Sequence, residues 1–474
     1  MTSETPPLVL SFKEGISLTE PDGRFFLQSS SRTTMSLENT SKGIRAGLRL
    51  LAEGGATEEQ LTELILQQEG QSGLPRFFYD LQMLIQAGLI CHTVFWNEVR
   101  LATLIPLSKT YQFQYSEPIA EQRYILSRFA YFHQQGEQLV LESPLAHSQM
   151  VLHDWRASAL LQILAKPKCL DELCQAFPEL SPSAVSMCLS LLLSNHSLDI
   201  VSENGKTEEA DNLVQWEFHD LVFQARSRKG RHGNLYGAYH RFEGQIEPLP
   251  VVKPPMSDTI ISLYKPDIDA LKQNDVSFTR VLEERSSFRK PGEQPITVEQ
   301  LGEFLYRTAR VRKIIGTEQR PYERSNRPYP SGGACYELEL YLVVNVCEGL
   351  PSGLYHYSPI EHTLEKLTDR TREVERLLED AYSAAAQQGM PQILIILAAR
   401  FQRLMWRYNS MAYAAMLKNV GVLYQNLYLV ATAMGLAPCA LGGGDSDLFA
   451  AAAEIDYYVE TSVGEFILGS RPDS

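Results

Sequence analysis

Glu284-Arg-Ser-Ser-Phe-Arg289 sets two guanidinium groups four residues apart, with two hydroxyls between them. That spacing places both arginines on one face of a turn or helix, and guanidinium forks beside hydroxyl donors suit a phosphate monoester. The same residues also read as a solvated helix start, with an ion pair to Glu283 or Glu284. Arg327-Pro-Tyr-Pro-Ser-Gly-Gly-Ala334 is a turn that empties into a strand-like run at 338–346. Such turns expose backbone N–H groups and let a flat ligand reach the main chain. Ala440-Leu-Gly-Gly-Gly-Asp445 either lets the main chain touch a ring system or ends the helix before it. Arg403-Leu-Met-Trp-Arg-Tyr-Asn-Ser-Met-Ala-Tyr413 mixes aromatics with cations, which suits a proton-transfer pair or a helix start that packs Trp406 on the core. In Gly464-Glu-Phe-Ile-Leu-Gly-Ser-Arg471, the final arginine beside a serine can reach a phosphate.

The elements that must position these residues are α+β in pattern. Apolar residues recur at helical spacing over 412–434, long enough for a central helix buried on most faces. Helices are also predicted at 298–309 and 371–386, and strands at 338–346, 353–357, 393–398 and 462–468. Ahead of them, Pro248 to Pro255 holds four prolines and reads as a stiff linker, and 203–214 as a polar one. The N-terminal part repeats a pattern of three amphipathic helices and a short β run, at 48–90 and 159–202, the copies about 110 residues apart. Thr57 with Gln60 forms a capping box that starts one helix, and Gly88 sits where the third ends. Helix–helix–helix–wing is the winged-helix pattern. Between the copies, Tyr111-Gln-Phe-Gln-Tyr and Glu137-Gln-Leu-Val-Leu-Glu-Ser alternate as strands.

Composition narrows the function. The formal net charge of -14 argues against nucleic acid as the main partner, since phosphate neutralisation needs a basic surface, and the predicted third helix over 77–89 carries no Lys or Arg. Arg226 to Arg241 is the one dense basic stretch, read as a surface or interdomain element. Seven scattered cysteines without a Cys-x-x-Cys pair fit a reducing compartment with free, mostly buried thiols. Ten histidines form no metal-ligand spacing, so no metal site is expected. Met1 to Pro7 lacks the charge and apolar runs of a secretory signal, and the most apolar run, 393–399, is too short to span a bilayer. A cytoplasmic location with no membrane partner is expected.

Taken in order, the C-terminal segments resemble the nitroreductase superfamily, and within it the SagB/ThcOx-type dehydrogenases, closest to the azoline (thiazoline) oxidases of cyanobactin-type pathways. Arg285-Ser-Ser-Phe-Arg289 is similar to the family's flavin-phosphate element. Pro330-Ser-Gly-Gly333 with Glu339-Leu-Tyr-Leu and Gly353-Leu-Tyr-His-Tyr is similar to its second flavin-contacting segment. Met416 to Leu436 resembles the central dimer helix, Gly442-Gly-Gly-Asp445 the loop beside the flavin, and Val463 to Gly469 the last strand. Residues 40–202 fit the paired winged-helix "peptide clamp" units that precede the flavin domain in such oxidases.

The resemblance implies an α+β fold: a nitroreductase-like FMN domain with an antiparallel-rich mixed sheet flanked by helices, forming a domain-swapped homodimer, after tandem winged-helix clamps. The implied division is 1–105, 106–202, a linker at 203–255, and the FMN domain at 256–474. The implied cofactor is FMN, and the implied cofactor set is Arg285, Ser286, Ser287, Arg289, Pro330, Ser331, Gly332, Gly333, Asn426, Gly442, Gly443 and Arg471. Within it, Arg285, Ser287, Arg289 and Arg471 hold the phosphate and ring edge, Ser331 and Gly332 reach in from the other subunit, and the amides of Gly442 and Gly443 sit near the N5/O4 edge. The implied activity is oxidation of azolines in a heterocyclised precursor peptide to azoles, with hydride passing to the flavin and O2 restoring it. Related oxidases carry a Lys-Tyr pair near the flavin, and the matching residues here are Arg407-Tyr408. A guanidinium is a poor base, because its pKa stays above about 12. Tyr408 is therefore expected to accept the proton, with Arg407 lowering its pKa, and Lys418 is the reserve candidate. Two other readings are an NAD(P)H-dependent reductase of nitro compounds or quinones and a peptide-binding maturation scaffold.

Overall fold

The helix Glu58–Glu69 begins at the capping box read from the sequence: Thr57 Oγ1 accepts the Gln60 N–H at 3.1 Å, and Gln60 Oε1 accepts the Thr57 N–H at 3.0 Å. The protein is described by a computed structural model over residues 8–20, 25–29, 32–37, 40–108, 110–207 and 209–472. Met1 to Pro7, on which the signal-peptide expectation rests, lies outside these residues. The chain divides into two units, residues 1–234 and 235–474.

In the first unit, Lys42–Glu53, Glu58–Glu69 and Leu74–Gln86 are followed by the hairpin Ile90–Trp96 and Val99–Pro106. Gly88, at φ +70°, turns the chain out of the third helix as expected. That helix starts three residues earlier than the sequence suggested, so it does carry one cation, Arg76, which pairs with Asp80 at 3.0 Å. The second copy is Trp155–Ile163, Leu170–Ala176 and Pro182–Ser194. Its β run Leu198–Val201 closes no hairpin; it pairs with Arg123–Leu126, which precedes the helices. Each helical trio has its own core, one around Leu48, Leu61, Phe77 and Leu81, the other around Leu161, Leu173, Val185 and Leu189. The expected strand at Tyr111–Tyr115 is irregular. Tyr111 is buried in the second core and Phe113 stacks on His92 at 3.6 Å, so its aromatic residues pack one by one rather than along a ladder. The strand expected near 137–143 is present as Gln138–Glu142.

The second unit is built on a seven-stranded sheet ordered Ile260–Ser262, Thr363–Thr368, Gly353–Ser358, Leu338–Val344, Ile393–Arg400, Glu460–Ser470, Leu436–Leu441. Every ladder in it is antiparallel. Leu338–Val344 and Ile393–Arg400 are buried at every residue, because both faces of the sheet are covered. One face packs Leu340, Leu342, Ile395 and Leu397 on the central helix Ala412–Ala433 and on Val298–Ala309. The other packs Tyr341, Val343 and Ile396 on Arg372–Ala384 and Ser446–Ala452. The one fully buried charge in the first of these strands, Glu339, is met by Arg400 at 3.2 Å and His356 at 3.4 Å. The proline stretch 248–255 packs within this unit: Val251 is buried, and Lys253 pairs with Glu460 at 2.7 Å.

The central helix is buried along Ala412, Ala415, Met416, Asn419, Val420, Leu423, Leu427 and Ala431. Its opposite side, including Tyr413, Leu417 and Val422, is exposed. Among the described residues, no helix is long and apolar enough to cross a membrane, and no three His, Cys, Asp or Glu residues gather as metal ligands. All seven cysteines are free, five of them buried.

Candidate active site

The helix Phe278–Glu284 stops at Arg285, which turns to φ -57° and ψ 120°. The Arg285–Arg289 segment is therefore neither helix nor helix start; it leaves a helix end as irregular chain. Glu284 is taken by Arg280, at 2.6 Å, and not by Arg285. Past that point the segment is stitched to the last strands. Phe288 N–H donates to the Pro438 carbonyl and Gly292 N–H to that of Ser470, each at 2.8 Å. Ser287 Oγ lies 2.8 Å from the Tyr428 hydroxyl, which also accepts the Ala440 N–H at 2.8 Å. Arg285 lies 5.4 Å from the Tyr428 ring centre, and Arg471 5.2 Å from that of Phe288. Burial raises the Cys439 thiol pKa, and Arg289 is near enough to pull it down against that burial. Among the described residues, no carboxylate pairs with Arg285, Arg289 or Arg471. Unpaired guanidinium groups beside serine hydroxyls form a patch that fits a phosphate dianion.

A second cluster surrounds the Pro-Ser-Gly-Gly turn. Gly333 (φ +65°), Ala334 (φ +56°) and Tyr336 (φ +48°) all adopt left-handed backbone, which only glycine does without strain. The turn is held by side chains from distant elements. Asn419 Oδ1 accepts the Gly332 N–H at 3.2 Å, while its Nδ2 donates to Glu337 at 2.7 Å and to Ser331 Oγ at 3.3 Å. Ser331 Oγ in turn accepts the Tyr336 N–H at 3.1 Å, and the Tyr336 hydroxyl donates to the Tyr329 carbonyl at 2.7 Å. Glu337 is fully buried, and burial raises its carboxyl against the lowering pull of Asn419 and Ser331. The Gly332 amide, expected to face a ligand, is thus already satisfied inside the chain.

Arg407 and Tyr408 complete this cluster. Arg407 Nη1 donates to the Gly333 carbonyl at 3.0 Å and also contacts the Tyr322 hydroxyl. A Cβ at Gly333 would lie 2.0 Å from Arg407 Nη1 and 2.9 Å from the Tyr408 hydroxyl, so a larger residue there would displace both side chains. Burial pushes the Tyr408 phenol above its ordinary value; Arg407 pulls it down but does not prevail. This corrects the expectation of a lowered pKa: half-buried beside apolar groups, the phenol keeps its proton at neutral pH.

The remaining expected residues fall elsewhere. Gly442 and Gly443 form an exposed strand-to-helix turn between Leu436–Leu441 and Ser446–Ala452, not a helix end. A Cβ at either would meet nothing within 4 Å. Asn426 Nδ2 donates to the Thr308 carbonyl at 2.8 Å, tying the central helix to the end of its neighbour. Lys418 is exposed on the central helix. Pro330 and Ser286 are exposed beside the two clusters. Asn419 and Tyr428, nine residues apart, place the two clusters about 14 Å apart along the helix axis.

Sequence reasoning missed Asn419, Glu337 and Tyr428. The signal for the first was a lone amide within the apolar stripe formed by Met416, Val420 and Leu423.

Residues 282–469 match the model of the nitroreductase family, 124–233 that of the cyanobactin oxidase ThcOx, and 5–115 that of the ThcOx helix turn helix domain. A protein named as a nitroreductase from Methanocaldococcus jannaschii is 30% identical over 190 residues, covering 40% of this chain and 86% of its own length. The chain belongs to the nitroreductase family, with N-terminal segments of the cyanobactin oxidase ThcOx type. The microcin B17-processing protein McbC of Escherichia coli is 34% identical over 115 residues, covering 23% of this chain. The trifolitoxin-processing protein TfxB of Rhizobium leguminosarum bv. trifolii is 26% identical over 149 residues, covering 31%. The matches span less than half of these two relatives, 42% of McbC and 40% of TfxB. Among solved structures, the E. coli microcin synthetase McbBCD complex with truncated pro-MccB17 bound is similar at 20% identity and TM-score 0.35, covering 51% of this chain and 90% of that one.

Proposed function

We propose that this protein is an FMN-dependent oxidase that converts azolines in a ribosomal peptide to azoles. The observation that carries the reading is the pairing, on one helix, of an uncompensated cation patch with a strained, internally braced turn beside Tyr408. Arg285, Ser287, Arg289 and Arg471 suit the phosphate of FMN, and the turn at 330–333 with the open main chain at Gly442 and Gly443 suits its ring. Bound FMN would supply a two-electron acceptor that O2 regenerates.

An azoline becomes an azole by giving up one proton and one hydride. Tyr408 is the residue we assign to the proton, through its ionised fraction. Since its pKa is raised, that fraction grows with pH, and kcat/KM rises across the alkaline range instead of levelling near neutrality. Arg407, fixed on the Gly333 carbonyl, stabilises the phenolate as it forms. The exposed apolar side of the central helix, with Leu417 and Val422, supports a homodimer in which the 330–333 turn serves the partner's cofactor. The winged-helix units are assigned to holding the precursor peptide.

The test is incubation of purified, FMN-loaded protein with a thiazoline peptide in air. Wild type should remove two hydrogens from the ring, and Tyr408→Phe should lower kcat roughly 100-fold while retaining flavin. Failure of wild type to oxidise a good thiazoline peptide would sink the proposal. The relative named as a nitroreductase favours a second reading, an NAD(P)H-dependent reductase. Rapid anaerobic bleaching of the flavin by NAD(P)H would select it.

A further inference from the structure

A cavity of about 410 Å³ opens beside Tyr408, within the range of small-ligand pockets. Four aromatic residues line it, Phe242, Trp406, Tyr408 and Tyr413, and its polar groups are Arg241, Gln402, Asn409 and Ser410. The cavity is built from two segments pinned to each other. Gly237–Ala238 pairs with Tyr408–Asn409, Tyr239 N–H donates to the Arg407 carbonyl at 3.1 Å, and Ser410 Oγ donates to that of Leu235 at 2.7 Å. Trp406 Nε1 donates to the Ile246 carbonyl at 2.6 Å, so its ring and not its N–H is left for a ligand. Arg241 is exposed, its guanidinium 4.4 Å from the centre of the Phe242 ring.

Among the residues lining the cavity, one buried polar atom has no partner. Asn409 is only 8% exposed, and its Oδ1 is buried without a hydrogen bond. A buried carbonyl oxygen without a donor costs roughly 1–3 kcal/mol, which a ligand bringing an N–H or O–H would recover once the Asn409 amide turns its oxygen toward the cavity. An azoline ring nitrogen carries no hydrogen and cannot supply it. The amide N–H of a residue next to the ring can. A simple nitroarene or quinone has no such donor.

We infer that this cavity is the subsite for the residue flanking the azoline: a flat apolar or aromatic side chain lies among Phe242, Trp406 and Tyr413, and that residue's backbone N–H donates to Asn409 Oδ1. Arg241, at the mouth, donates to the next peptide carbonyl. The inference rests on the azoline-oxidase reading, because Tyr408 is a shared wall: an occupant touches the group assigned to the ring proton.

Binding of azole product peptides to the FMN-loaded wild-type protein tests this without turnover. In a fluorescence-polarisation series, a Phe flank should bind at least tenfold more tightly than an Ala or Asp flank. N-methylation of the flanking amide should weaken binding about three- to tenfold in wild type and have no effect in Asn409→Leu. A Kd indifferent to the flank, or no binding of any azole peptide, overturns the subsite, and both arms use wild type alone, so they stand even if Asn409→Leu does not fold. N-methylation costing the same in both proteins removes Asn409 from it. Flank-dependent binding without azoline oxidation would instead fail the oxidase reading and leave the subsite in place. Oxidation with no flank dependence would do the reverse.

Discussion

The two clusters on the central helix solve opposite problems. Around the 330–333 turn, Asn419, Ser331 and Glu337 satisfy one another, three consecutive-region residues are held in left-handed backbone, and the carboxylate is buried. Around 285–289 and 471, the cations are largely exposed and, among the described residues, without carboxylate partners. Strain of this kind persists only where surrounding contacts over-determine it. Uncompensated cations cost little in water and become valuable when an anion arrives. The difference teaches that folding shapes the first cluster, whereas the second, on the proposed reading, would be completed by its ligand. Substitutions should therefore separate them: stability falls at the turn, and affinity falls at the patch.

The sharpest break is Asn419→Leu. It removes the acceptor for Gly332 N–H and a donor to buried Glu337. We expect a loss of about 2–4 kcal/mol in unfolding free energy, measured by denaturant melts without flavin. An unchanged melt would show that the turn holds itself and would erase the contrast. Arg285→Ala and Arg289→Ala should behave in the opposite way. Unfolding free energy should stay within about 0.5 kcal/mol, while FMN affinity drops about tenfold for each, with a steep salt dependence in wild type that the variants lose in part. Equal losses of stability at both clusters would contradict the division drawn here.

Much of this architecture was legible in the chain because its signals are local. The capping box at Thr57–Gln60, the helix at Val298–Ala309 and the all-apolar runs of the two inner strands each depend on neighbours in sequence. The bracing of the turn was not legible. Asn419 and Glu337 lie 82 residues apart, and Ser287 and Tyr428 lie 141 apart, so no spacing announces either pair. The glycine turn at 442–444 had two readings open in the sequence, and only the strand Leu436–Leu441, which fits between Gly435 (φ +66°) and the turn, separates it from the helix end. The pKa of Tyr408 was misjudged because the sequence displays the adjacent Arg407 but not the burial that outweighs it.

The smallest effect, and the one that refines the comparison most, is the pH response of Glu337. Burial raises its carboxyl in the folded protein, so the folded state binds the proton more tightly than the unfolded chain does. Stability therefore falls as pH rises from the unfolded glutamate value, about 4.3, to the raised folded value, and levels off above it. Glu337→Gln keeps an amide oxygen to accept from Asn419 and removes the titration. The wild-type curve should slope downward across that window relative to the variant, with the two parallel at higher pH. Parallel curves throughout would mean that Asn419 and Ser331 fully offset the burial of the carboxylate. The turn would then be held by its hydrogen bonds at no electrostatic cost, and the contrast with the exposed patch would be one of burial alone.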